Sequence, residues 1–423
     1  MNMTERLLQF IWQFQYFNRH QLCTTEGSAL HIIHPGKYNT NQGPDFLEAA
    51  IKIDGITLAG NIELHVYSSD WNRHGHQQDT NYKNVILHVV WQHDMPGHSL
   101  FVPVLVLENR IAAILLGQYN EWMQKPGFIA CAGAVKEVND LVWTAWTERL
   151  LAERMLRKSG YVLQLLETNK QHWEETCWQL LANNFGMRVN AGAFENIARS
   201  LPLSILARHK NQVAVLEAML MGQAGLLDQP FTDDYALLLQ REYRFHQHKY
   251  QLRKVSGNVF FLRMRPAAFP TIRLSQLAML LHSSMHLFAA IKEISSLREL
   301  CMLLNVSAND YWHYHYRFDE PGGYQVKNLG SNMINSIIVN TVAPLLFACG
   351  LYHKEQSLKE KAIQWLTETD AEKNNITKGW HEIGIGAKNA SHSQALLELK
   401  TRYCDEKRCL DCAVGNALLK QKR

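Results

Sequence analysis

Several familiar landmarks are missing from this 423-residue sequence, and each absence removes a class of function. It has no Walker-type phosphate loop, dinucleotide fingerprint, G-x-S-x-G elbow or H-E-x-x-H pair, which sets aside the commonest nucleotide-binding, serine-hydrolase and zinc-protease mechanisms. No stretch approaches the ~18 uninterrupted apolar residues of a membrane span. The nearest, VNTVAPLLFACGLY, is too short, so no membrane association is expected. The apolar opening MNMTERLLQFIWQFQYF is interrupted by Glu5 and Arg6 and lacks a small-residue cleavage site. It reads as an amphipathic helix rather than a secretion signal, and a cytoplasmic location follows as the expectation. Neither a repeat of fixed period nor a low-complexity tract occurs. With 19% charged and 47% hydrophobic residues, the chain has the composition of a folded protein rather than a disordered one.

Net charge is also scarce, at +4, but it is unevenly spread. Residues 1–136 carry 9 Lys and Arg against 11 Asp and Glu, leaving 34 against 28 for the remainder. The second part therefore permits a polyanionic partner. The length implies two or three compact units, and the pattern of side chains divides the chain near Lys125-Pro126-Gly127 into residues 1–136 and 137–423. In the first part LHIIH, FLEAAIKI, ITLAGNIELHVY, NVILHVVW and FVPVLVL are short, β-branched and separated by turn residues. Asp54-Gly55 is a two-residue hairpin signal. A helix over Thr4–Phe17 precedes the strands, with Thr4 as its cap. SSDWNRHGHQQDTNYK provides a helical crossover before NVILHVVW. From Asn139 onward the helical period dominates. The fold class expected is α+β: an N-terminal mixed sheet followed by an all-helical domain.

The densest polar segment lies between Gly36 and His98. Asp45 begins the second strand and Glu63 lies in the third, each about nine residues from the hairpin, so the two face each other if they share a side of the sheet. Strand alternation puts His65 on the side of Glu63. Converging carboxylates hold a hard cation such as Mg²⁺ or Mn²⁺, which lowers the pKa of bound water and stabilises phosphoryl charge. Six of the chain's 20 histidines fall here: His65, His74, His76, His88, His93 and His98. His74, His76 and Asp79 have the donor types of a Zn²⁺, Mn²⁺ or Fe²⁺ site.

Gly43-Pro44-Asp45, the hairpin and Ile62-Glu63-Leu64-His65 resemble the PD-(D/E)XK nuclease superfamily, and the order helix, three strands, helix, strand is that of its core. The resemblance implies a restriction-endonuclease-like sheet domain in which Asp45 and Glu63 bind metal, Glu5 assists from the first helix, and the residue at position 65 orients or activates water. That residue is usually Lys and here is His65. A neutral imidazole can accept a proton near pH 7, and Lys83 is the candidate for the missing positive charge. GPDF, SSDW, HGHQQD, VILHVVW, EAMLMGQAGLL, RMRPAAFP and YCDEKRCLDC also resemble, over nearly the whole chain, a domain-of-unknown-function family of uncharacterised Bacteroidetes proteins.

Two further signals lie in the second part. Cys404-x4-Cys409-x2-Cys412 could hold Zn²⁺ or three corners of an iron–sulfur cluster, with Cys349, Cys301 or His392 as candidates for a fourth ligand. Arg263, Arg265 and Arg273 are candidates for phosphate contacts to nucleic acid. The first functional expectation is a metal-dependent nuclease or phosphodiesterase. The alternatives are a non-catalytic nucleic-acid or protein adaptor on the same fold, and a Zn- or Fe-dependent enzyme built on the histidines.

Overall fold

Caps set the first element. In the computed structural model, which describes residues 3–95, 102–124, 126–253, 255, 259–262, 264–284 and 286–421, the Thr4 hydroxyl accepts from the Leu7 N–H at 3.2 Å. It thereby opens α1 (Glu5–Gln13). The helix stops short of the expected Phe17 because Gln15 turns left-handed at φ 55° and the Tyr16 N–H closes back on the Ile11 carbonyl. Leu7, Leu8, Ile11 and Trp12 form its buried face.

Five strands follow the expected segments: β1 (Leu30–His34), β3 (Phe46–Ile53), β4 (Ile56–Tyr67), β5 (Val85–Gln92) and β6 (Val104–Val106), with a short β2 (Lys37–Tyr38) added against β3. Their order in the sheet is β1-β3-β4-β5-β6. The first three are antiparallel, and the hairpin turns at Asp54-Gly55 with Ile53 opposite Ile56. β5 runs parallel to β4, so the chain must cross over between them. It does so through α2 (Asp70–Arg73) and two 3₁₀ turns, His76–Gln78 and Thr80–Tyr82. α1 packs on β4.

Gly60 fixes how closely β4 and β5 approach. A Cβ there would sit 2.5 Å from the Asn84 carbonyl oxygen and 2.5 Å from Ile86 Cγ2, just before the β4/β5 register shifts at Asn61/Ile62. Gly60→Ala is therefore expected to cost about 1–3 kcal/mol through overpacking. A urea midpoint equal to that of the wild type would contradict this close fit.

Two units divide the chain: Met1–Trp143 with Thr401–Arg423, and Thr144–Lys400. The division expected at residue 136 thus moves to Trp143. The C-terminal cysteines, expected with the helices, belong to the sheet unit. The reason is packing: helix Ala413–Gln421 lies against α3 (Ala113–Gln124) and the turn Val135–Glu137, which no local pattern reveals.

Among its described residues the second unit is helical apart from one short strand pair, His315–Arg317 with Glu320–Pro321. α4 (Asp140–Thr168) leads into it, followed by α5 (Trp173–Phe185) and α6 (Met187–Ser200). Its core holds Trp178, Trp312, Trp365 and Trp380. Pro266 and Pro270 bracket a turn as expected, and helix Pro270–Ser283 starts at the second proline. The apolar stretch judged too short for a membrane lies in a continuous 22-residue helix, Ser331–Tyr352, that is long and apolar enough to span one. Within the unit, 72% of its apolar window is buried, as in a core helix.

Candidate metal centre

Alternation along β4 sends Glu63 and His65 to one side of the sheet, where they are 5% and 1% exposed. The parallel register sets His88 of β5 opposite Glu63. The crossover supplies the rest. After α2, Gly75 takes a left-handed turn at φ 71° and folds the chain back, so that His74 and His76 both reach His65. Trp71 covers His88 and His76 with ring centroids 5.0 and 5.4 Å away, and Tyr82 stacks on His76 at 3.9 Å.

Ring nitrogens of three histidines converge, and a carboxylate oxygen lies beside two of them. His65 Nε2 lies 3.1 Å from His74 Nδ1 and 3.3 Å from His76 Nε2. Glu63 Oε1 lies 3.4 Å from His76 Nε2 and 3.6 Å from His65 Nε2. A ligand nitrogen of each of His65, His74 and His76 is within 4.8 Å of the other two, and this is the only such group of three metal-ligating residue types among the described residues. A neutral imidazole carries a single N–H. His65 Nδ1 meets His88 Nε2 at 2.9 Å, and a His65 proton placed on Nδ1 would leave Nε2 as a lone pair within the cluster. Burial lowers the pKa of His65 to about 2 and of His88 to about 3, reinforced by the neighbouring imidazoles, and burial also lowers His76. Neutral imidazoles are the form that binds metal.

Asp45 supports the centre from the neighbouring strand. Its backbone N–H donates to Glu63 Oε2 at 3.0 Å, while its carboxylate accepts from Gln9 Nε2 at 2.8 Å and the Leu64 N–H at 3.0 Å. Burial raises its pKa to about 7, opposed by the Leu64 hydrogen bond. Burial, and then the charge of Asp45, raises Glu63 to about 9. The charge of Glu5 acts on both, so acids from α1, the start of β3 and the middle of β4 share one end of the hairpin.

The remaining candidates separate. Lys83 ends the turn after Tyr82 with an exposed side chain, and the cation acting on Asp45 is Arg6 instead. Asp79 caps that turn through the Asn81 N–H and touches the cluster only through its charge on His76. His93 bonds Ser68, and His98 lies outside the described residues. Cys301, Cys349 and His392 belong to the helical unit, whereas Cys404, Cys409 and Cys412 belong to the sheet unit. Cys131 feels the charges of Cys412 and Cys409, but among the described residues no three of these thiols come close enough together to form a metal-ligating group. Burial, then the charges of Cys412 and Cys409, push Cys131 up to about 12. Arg265 is exposed, Arg273 is buried, and Arg263 lies outside the described residues, so Arg265 and Arg273 do not form one solvated basic face.

Comparison with known proteins gives one match: a family model described as a protein of unknown function, DUF2851, matches residues 5–375. No curated protein and no solved structure matches.

Proposed function

The chain belongs to the DUF2851 family of unknown function, and we propose that it is a metal-dependent hydrolase of phosphodiester bonds in nucleic acid. The observation that carries this reading is the convergence of ring nitrogens of His65, His74 and His76, with Glu63 Oε1 beside those of His65 and His76. Three imidazoles and one carboxylate suit Mn²⁺, Zn²⁺ or Fe²⁺ better than the all-oxygen preference of Mg²⁺. Such an ion supplies a water of lowered pKa and charge stabilisation for a phosphoryl oxygen.

The chain's own residues supply the remainder. His88 holds the tautomer of His65. Asp45 fixes Glu63 through its backbone N–H. A cleft of about 400 Å³ in the same unit is lined by Glu5, Tyr67, Asp70 and Arg73. The helix, antiparallel β1-β3-β4, crossover and parallel β5 agree with the PD-(D/E)XK core order, and this supports a restriction-endonuclease-like type and nucleic acid as substrate. His65 in place of the usual lysine fits an ion held by imidazoles.

Metal analysis of the purified chain, calorimetric titration with Mn²⁺ and Zn²⁺, and cleavage assays on single- and double-stranded DNA and RNA test the proposal. Millimolar or weaker binding of both ions would sink it, and would favour an adaptor on the same sheet. His88→Ala is expected to weaken metal binding about 10–100-fold while leaving the four ligating groups in place.

A further inference from the structure

We propose that the helical unit binds a phosphate group in a cleft of about 500 Å³ whose anchor is Arg273. Arg273 lies in the first turn of helix Pro270–Ser283 and is 8% exposed. Its Nη1 donates to Gln276 Oε1 at 2.8 Å, and Gln276 Nε2 donates in turn to the Lys327 carbonyl at 2.9 Å, so the guanidinium is held in a fixed orientation. The Nε–H, one half of the fork that guanidinium presents to oxyanions, is buried and has no partner among the described residues. Among the described residues no carboxylate lines the cleft and none pairs with Arg273, whose guanidinium burial lowers to about 10. A buried cation without a counter-charge is costly to keep. A ligand that brings the negative charge accounts for it.

The rest of the wall agrees in chemistry. Arg188, Asn183, Asn184, Asn332, Ser336 and Asn340 line the cleft around Arg273. They come from the α5/α6 corner and from helix Ser331–Tyr352. Both elements depart from regular geometry at the cleft. Met187, a non-glycine residue, takes φ 52° at the corner, and Ile338–Val342 form a π-helical turn that carries Asn340. Strained backbone and π-turns of this kind concentrate at functional sites. Asn183, Asn184 and Asn340 each donate one amide hydrogen within the protein, to Glu195 and to Ser336, and retain a second that can join the two arginines around a tetrahedral oxyanion. The phosphate can be free, carried by a nucleotide, or part of a nucleic-acid backbone. The cleft is independent of the metal centre.

Calorimetry on the full chain with inorganic phosphate, a nucleoside monophosphate and a short oligonucleotide tests the proposal, in chloride buffer of matched ionic strength. Wild type is expected to bind phosphate, and Arg273→Gln to bind it at least about tenfold more weakly, a difference of ~1.4 kcal/mol. Arg188→Gln, an exposed substitution at the rim, should also weaken binding. His65→Ala should not, which separates failure of this site from failure of the metal centre. Affinity rising along the three ligands identifies a nucleic-acid backbone, and equal affinity identifies the phosphate group alone. Thermal unfolding controls for folding, because losing an uncompensated buried charge should leave Arg273→Gln at least as stable as wild type without ligand. Equal phosphate affinity in wild type, Arg273→Gln and Arg188→Gln, or no binding by wild type, would overturn the proposal.

Discussion

Glu63→Gln is expected to raise the unfolding temperature of the metal-free chain at pH 8 and to abolish its stabilisation by Mn²⁺ or Zn²⁺. The sign follows from linkage. Burial and mutual repulsion hold Asp45 near 7 and Glu63 near 9 in the folded chain, well above the ~4 of unfolded carboxyls. Groups raised in this way contribute fully below the unfolded value, and their contribution is lost as pH rises through the folded one. The metal-free wild type should therefore lose stability progressively between about pH 4 and pH 9. An amide does not titrate, so the advantage of Glu63→Gln should grow across that window, reaching on the order of 1–4 kcal/mol. A divalent ion reverses the balance in the wild type, because opposite charge favours the ionised carboxylates. At 100 times its Kd it would add about 2.7 kcal/mol. Unfolding followed at pH 5, 7 and 9, in chelator and then in metal, measures both effects. A variant less stable than wild type at pH 8, or one that metal still stabilises, would mean that Glu63 does not face the ion.

In the helical unit, the largest loss is expected from Glu398→Ala, at roughly 3–5 kcal/mol. Glu398 is 4% exposed and lies between two arginines of α4. Arg154 Nη1 reaches Oε2 at 3.1 Å, Arg157 Nε reaches Oε1 at 3.3 Å, and Arg157 Nη2 also bonds Oε2. Burial works to raise the Glu398 carboxyl, yet the bonds from Arg157 and Arg154 outweigh it and hold the group below its ordinary value. Removing the carboxylate leaves the largely buried Arg154 without its main counter-charge. The pH dependence has the opposite sign to that of Glu63. A depressed carboxyl contributes above its unfolded pKa, and that contribution is lost as pH falls through the folded value. The deficit of Glu398→Ala relative to wild type should therefore be full at neutral pH and shrink in acid. A denaturant midpoint unchanged at pH 7 would show that the cluster is solvated and worth little.

Much of the sheet could be read directly. Leu30–His34, Phe46–Ile53 and Ile56–Tyr67 form strands over the residues that alternation marked, and the Asp54-Gly55 hairpin turns where its two residues require. Glu63 and His65 share a side of β4 because alternation depends on the backbone alone. Other features had no local signature. No residue pattern marks the bulge of β3 between Phe46 and Ala49, where Glu48 takes φ 59°. Arg273 reads as one of several cations around two prolines, and only the packing of its helix buries it.

The sequence by itself determined the helix, the strands, the hairpin and the pairing of Glu63 with His65, since each follows from spacing within a few residues. Tertiary structure alone decided that His74 and His76 fold back onto His65, that β5 brings His88 behind it, and that the C-terminal helix packs on α3 and the turn Val135–Glu137. The physical reason is distance along the chain. Periodicity fixes which way a side chain points from its own element, whereas contact between elements depends on how their apolar faces are buried together.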